Sequence, residues 1–374
     1  MTIIIYLLLG SMLYYAGMIL WFIAGNLFSD SQGDSKATPT VSVIIAIRDG
    51  EKSLPNLLAD LSAQDYSGEI EFILVDDESI DSTSKLIQEK SGVDKRFILE
   101  ISSNGDSILK YKKRALDAGI KRAKNEWLLF TDVDCRLNSG WVTGMASYFK
   151  DDVDYVIGYS EVSRGKAWVT RFQALDFLML MIAARGSTNL GRAWASTGQN
   201  QAYRKSLFNL IGGFSQIAKE LQGDDTLFLQ VCRKNKSAKV VFADETECRT
   251  RSRQEISWSS FFKQRMRWAG DANLMWKFNS AFFLSISVTF FLPLLLLVTL
   301  FTGIFYNPYY LTVFTKFLFV QLIIEFILYF IGVRQFDKKI QIIDFTFWFM
   351  IHIPYIVFMG VGSFFANQLG WKGR

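Results

Sequence analysis

Trp127-Leu128-Leu129-Phe130-Thr131-Asp132-Val133-Asp134 is the stretch that decides the fold. Apolar residues bounded by the charged 124–126 and the polar 136–140 predict a short buried strand. Acids at i and i+2 beyond its end reach one small space. Two carboxylates brought together repel unless a divalent cation lies between them. Hard oxygen donors suit Mg²⁺ or Mn²⁺, which keep open positions for a diphosphate. Taken alone, the pattern reads equally well as a solvated acidic turn, so the flanking sequence has to decide.

Upstream, Val41-Ser42-Val43-Ile44-Ile45-Ala46-Ile47 is a β-branched strand closed by the polar turn Arg48-Asp49-Gly50-Glu51. Residues 54–61 have helical spacing. Glu71-Phe72-Ile73-Leu74-Val75 predicts a second strand, ending in Asp76-Asp77, with a helix over about 82–90. A third strand is expected at 97–101 and a helix at 112–124. Such alternation predicts a mostly parallel sheet with crossover helices. Ligands bind outside the carboxyl ends of such strands, where Glu51, Asp76, Asp77, Asp132 and Asp134 all fall.

The chain has 374 residues, 50% hydrophobic and 15% aromatic, more apolar than an ordinary soluble protein. The excess lies at the two ends. Residues 1–28 predict a retained membrane anchor, without a basic leader or a clear cleavage site. Residues 29–40 read as a linker. Two spans are expected at 281–306 and 309–333, separated by Asn307-Pro308. The last apolar stretch, 340–369, is interrupted by Pro354, Gly360 and Gly362 and has cations on both flanks. It predicts a third span or a re-entrant hairpin, the flanks favouring the hairpin, before a basic tail at 370–374. The cationic loop 334–339 predicts a cytoplasmic side, with the catalytic domain there too.

A net charge of +5 gives no nucleic-acid signal, although the clusters at 110–114 and 249–253 suit phosphate or anionic headgroups. Three scattered cysteines suggest neither a zinc site nor a disulfide framework, and the single histidine, His352, lies in an apolar segment.

The succession of these motifs resembles the inverting family 2 glycosyltransferases of GT-A fold. It continues through Lys112…Ala115-Leu116-Asp117-Ala118-Gly119, Gly198…Ala202-Tyr203-Arg204, Gly212-Gly213-Phe214, Gly223-Asp224-Asp225 and Gln264-Arg265-Met266-Arg267-Trp268. Ceramide-glucosyltransferase-like and processive-synthase-like members are the nearest in pattern. The resemblance covers about residues 40–280, departing at Ala46, Gly50 and Gly223-Asp224-Asp225. It implies an α/β catalytic domain over 41–255, with a Rossmann-like, mostly parallel sheet. Interfacial helices carrying the Gln-x-x-Arg-Trp motif follow at 256–280, then α-helical transmembrane segments over 281–369.

The resemblance also implies roles. Ala46, Arg48, Glu51, Asp76, Asp77, Lys112 and Asp132 would bind the nucleotide, with Asp77 on the uracil edge of a UDP-sugar. Asp134, with Asp132, would hold Mn²⁺ or Mg²⁺ on the diphosphate. Asp225 would be the general base, with Asp224 beside it, although a helix N-cap fits either acid on sequence. For Lys112, a solvated helix face competes with a phosphate contact. Gln264, Arg267 and Trp268 share one helix face, where Arg267 would fork onto the diphosphate and Trp268 stack on an acceptor sugar. An interfacial helix at headgroup depth accounts for the same residues.

The expected protein is an integral membrane enzyme of a bacterial inner membrane, catalytic domain cytoplasmic, moving sugar from a UDP-sugar to a lipid or lipid-linked acceptor. A processive polysaccharide synthase and a non-catalytic nucleotide-sugar-binding subunit are the competing readings.

Overall fold

The computed structural model describes residues 2–28, 33–34, 38–235 and 238–365. In chain order the elements begin with α1 (Thr2–Leu27), β1 (Val41–Ile47), α2 (Leu54–Ser62), β2 (Ile70–Asp76), α3 (Thr83–Val93) and β3 (Phe97–Ile101). They continue with α4 (Tyr111–Arg122), β4 (Trp127–Phe130), β5 (Cys135–Leu137), α5 (Trp141–Ala146), β6 (Tyr155–Gly158) and β7 (Ser160–Val162). Next come α6 (Trp168–Asn189), β8 (Gln201–Arg204), α7 (Lys205–Leu210), α8 (Thr226–Asn235), β9 (Val240–Ala243) and β10 (Thr250–Ser252). The last four are α9 (Trp258–Ala272), α10 (Ser280–Phe305), α11 (Tyr309–Gln335) and α12 (Ile342–Gly362).

The chain forms two units. One is α/β and comprises Asp30–Ser163 and Gly191–Arg253; the other is helical and comprises Met1–Ser29, Arg164–Leu190 and Gln254–Arg374. The α/β unit carries a seven-stranded sheet of order β3-β2-β1-β4-β8-β6-β9. β1 pairs in parallel with both β2 and β4, and β2 with β3. β8 runs antiparallel to β4 and β6. Because β1 is central and covered on both faces, it reads as a continuous apolar run rather than an alternating one. Val41, Val43, Ile45 and Ile47 join one core with Leu54, Leu57 and Trp141. On the opposite face α4 lies close to the sheet at Gly119. A Cβ there would fall 2.5 Å from Ile44 Cγ2 and 3.0 Å from Val75 Cγ2. That close approach fixes the height of α4 above the strands. A second, three-stranded sheet of order β5-β10-β7 completes the unit.

In the helical unit, Ile3–Leu27, Ser280–Phe305, Tyr309–Gln335 and Ile342–Phe365 are each long and apolar enough to cross a membrane. α1 packs against α6, α10 and α11. Its polar lock is Tyr15, whose hydroxyl donates to Glu325 Oε1 at 2.6 Å, while Gln321 Nε2 donates to the same oxygen at 2.8 Å.

Two expectations meet a different structure. The hairpin favoured for 340–369 does not form over the described residues. α12 is one continuous helix with Pro354 inside it, as Pro293 lies inside α10. Among apolar surroundings a helix keeps its backbone hydrogen bonds internal, so proline is tolerated where a turn would expose unsatisfied carbonyls. Second, 41–255 is interrupted. α6, buried along much of its length, groups with the apolar helices and packs on α1, α11 and α12. Part of the expected linker 29–40 and all of the basic tail 370–374 lie outside the described residues.

Candidate active site

Parallel register brings three strand ends to one edge of the α/β unit: Ile47 pairs with Asp76, and Ile44 with Phe130. The loops beyond β1 and β2 are laced together. Asp77 N donates to Ile47 O at 2.8 Å, and Arg48 Nη1 donates to Asp77 O at 2.9 Å. Gly50 N donates to Thr83 Oγ1 at 2.8 Å and Ile80 N to Asp49 Oδ1 at 2.9 Å. Glu51 accepts from Ser82 N at 3.2 Å, and Asp76 accepts from Ser79 N at 3.0 Å. Glu51 and Asp76 thus hold loop backbone in place, while Ala46 is a residue of β1. Asp49 and Glu78 adopt left-handed backbone, φ 49° and 56°, strain of a kind that gathers at functional sites.

Asp77 is buried beside Ser102 and Arg48. Burial raises its pKa, and the Ser102 hydroxyl and the Arg48 charge oppose that. An acceptor with a cation on one side and a hydroxyl on the other suits a nucleobase N–H.

The next strand end carries the charge cluster. Lys112 Nζ lies 2.8 Å from Asp132 Oδ1 and 2.9 Å from Asp224 Oδ2. Burial alone would lower its pKa; the two carboxylates outweigh that and hold it well above the usual lysine value. Lys112 follows Tyr111, the first residue of α4, which has φ 55°. Lys113 turns the other way. It is 1% exposed, and its ammonium donates to the carbonyls of Glu220 and Gln222, just before the acidic turn. The solvated-face reading therefore fails for both lysines. Lys113, Leu116 and Ile120 share the buried face of α4 at i, i+3 and i+7, a pattern that places a lysine inward.

Asp224 and Asp225 follow Gly223, whose φ of 103° favours glycine. The Asp224 carbonyl accepts from Gln201 Nε2 at 3.0 Å, which anchors the turn to β8. Asp225 precedes α8. Its Oδ1 accepts from Thr226 N and its Oδ2 from Gly198 N at 3.2 Å. Burial, then the Asp224 charge, pushes its pKa up to about 6, while the Thr226 and Gly198 N–H groups and Lys112 pull the other way. A carboxylate titrating there can take a proton near neutral pH. Spacing alone does not reveal Gln201, Gly198 or Ser102, since each contributes through a contact remote in sequence.

Asp134 is exposed at the same loop. Among the described residues no group of three or more His, Cys, Asp or Glu forms a metal cage. The donor chemistry of Asp132 and Asp134 fits a hard cation that keeps water and phosphate ligands, since Mg²⁺-like ions need only one or two carboxylates.

In the helical unit, Gln264, Arg267 and Trp268 lie on α9. Gln264 Nε2 donates to Glu255 Oε1 at 3.4 Å. Burial lowers the Arg267 pKa and Glu255 opposes it. The buried residue of this motif is Arg265. Its Nη2 lies 3.0 Å from Asp176 Oδ2, and its guanidinium sits 4.1 Å from the Trp268 ring centroid, covering one face of the indole.

The model of glycosyl transferase family 21 matches residues 3–374. An N-acetylglucosaminyltransferase of Azorhizobium caulinodans is 29% identical over 175 residues, 45% of this chain and 43% of the relative. An undecaprenyl-phosphate 4-deoxy-4-formamido-L-arabinose transferase of Proteus mirabilis is 26% identical over 174 residues, 46% of this chain and 51% of that protein. The chain thus spans about half the length of these curated relatives or less. Among solved structures, a mannosyltransferase from Pyrobaculum calidifontis in complex with GDP-Man and Mn²⁺ aligns over 96% of this chain and 99% of its own. The TM-score is 0.61 at 15% identity, a likeness of fold that is GT-A.

Proposed function

The chain belongs to glycosyl transferase family 21 and is a glycosyltransferase; we propose that it moves a sugar, with inversion, from a UDP-sugar to a lipid or lipid-linked acceptor. The observation that carries this reading is the gathering of Asp132, Asp224 and Asp225 around Lys112 at the carboxyl ends of the sheet. Helices able to cross a membrane support the lipid acceptor, as does the likeness to the Proteus mirabilis undecaprenyl-phosphate 4-deoxy-4-formamido-L-arabinose transferase.

In this mechanism Asp77 accepts from the uracil and Arg48 holds the loop that carries it. Asp132 and Asp134 would hold Mn²⁺ or Mg²⁺, and the bound cation would neutralise charge on the leaving diphosphate. Asp225 takes the proton of the acceptor hydroxyl. That oxygen bonds to the anomeric carbon as the bond to the diphosphate breaks on the opposite face. Gln264, Arg267 and Trp268 keep the substrate-contacting role implied by their motif. The cationic loop between α11 and α12 supports a cytoplasmic side for the catalytic unit, in a bacterial inner membrane.

The test is purified full-length protein with Mn²⁺, radiolabelled UDP-sugars and a bacterial lipid extract. A lipid-soluble product carrying one or a few sugars is expected. A ladder of long, water-soluble polymer would instead establish the processive synthase.

A further inference from the structure

We infer that Lys112 makes cation binding depend on the nucleotide. In the ligand-free chain its ammonium competes with a divalent cation for Asp132, and a nucleoside diphosphate releases the carboxylate by drawing the ammonium onto its own oxygens. The inference rests on the reading that Asp132 and Asp134 hold the metal.

The geometry carries it. Lys112 Nζ makes a hydrogen bond of 2.8 Å with Asp132 Oδ1, an oxygen of the same carboxylate that a cation would use. The ammonium is held from the other side by Asp224 at 2.9 Å, and the lysine side chain is only 19% exposed. Space around it is limited. A Cβ on Gly198 would come within 3.0 Å of Nζ and 3.1 Å of Asp224 Oδ2. A divalent ion and an ammonium cannot share one carboxylate oxygen without like charges in contact. A cation arriving alone must therefore either break a charge-assisted bond, leaving Lys112 with Asp224 only, or take the other oxygen of Asp132 with the ammonium charge close beside it; both weaken its binding. A cation arriving with a diphosphate brings acceptors that replace Asp132 for the ammonium. Each ligand then removes an obstacle to the other, and by linkage the gain is equal in both directions.

The test reads Mn²⁺ binding directly, through loss of the free-ion electron paramagnetic resonance signal, on full-length protein in detergent. Mn²⁺ is titrated alone, with UDP and with GDP, against wild type, Lys112→Met and Lys112→Gln. Wild type should bind Mn²⁺ weakly alone and much more tightly with nucleotide. Both variants should bind Mn²⁺ alone on the order of tenfold tighter than wild type and gain less from nucleotide. Lys112→Gln, close in shape and still a hydrogen-bond donor, guards against a folding defect in the Met variant. Nucleotide-dependent binding in wild type with no gain in either variant overturns the inference and leaves the metal reading standing. Wild type that binds no Mn²⁺ even with nucleotide overturns both.

Discussion

Replacing Asp225 by Asn should make the protein nearly inactive and, at neutral pH, more stable. The carboxyl titrates at about 6 in the folded chain and near 4 when unfolded, a difference worth about 3 kcal/mol at pH 7. The sign is unfavourable. Folding raises this acid's pKa, so the ionised group costs stability above the folded pKa. That cost shrinks as pH falls and vanishes below the unfolded pKa, where both states are protonated. Asparagine caps a helix as well as aspartate does, so the bond from Thr226 N survives while the one from Gly198 N weakens. The net gain is about 1–2 kcal/mol at pH 7 to 8. Transfer should fall on the order of a hundredfold or more with UDP affinity unchanged. Melting curves in detergent from pH 4 to 8, alongside initial rates, check both arms. Wild-type rate should climb through about pH 6. Asp224→Asn is the control. It removes the neighbouring charge that raises Asp225, so it should keep more activity and move that climb to lower pH. An Asp225→Asn protein that is active, or one less stable than wild type at pH 8, would refute the assignment of Asp225 as a base whose pKa folding raises.

Two other perturbations address the supports of the site. Asp134→Asn changes an exposed side chain, so stability should stay within about 0.5 kcal/mol, while transfer is lost and UDP affinity in Mn²⁺ drops. EDTA leaving wild-type transfer untouched would contradict this. Lys113→Met strands the Glu220 and Gln222 carbonyls and should lower stability by about 1–3 kcal/mol, with kcat falling more than nucleotide affinity. An unchanged kcat would mean the loop before Gly223 holds its shape without the clamp.

The first half of the site was legible because its signals are local. β1, β2 and β4 each announce themselves as apolar runs followed by acids, and parallel pairing of β1 with β2 and β4 brings those ends together. Later parts depend on contacts distant in sequence. Nothing in Gln201-Ala202-Tyr203-Arg204 says that it will run antiparallel between β4 and β6. α6 has the apolar content of either a core helix or a membrane-associated one, and only its neighbours settle which. Lys112 and Lys113 are adjacent and chemically identical, yet the turn of α4 sends one to the acids and the other to backbone carbonyls. Composition treats them alike.

The position of β8 has a consequence during synthesis. It is the inner neighbour of β4, but about 70 residues separate the two in the chain, roughly 4 to 15 seconds at the usual elongation rates. Until β8 emerges, β4 can pair only with β1 and presents an apolar open edge to whatever surrounds the ribosome. The strand that ends in the acidic motif is therefore also an unpaired apolar edge of the nascent chain over that interval. Slowing translation between β4 and β8 should increase its aggregation, and a faster passage through α6 should protect it.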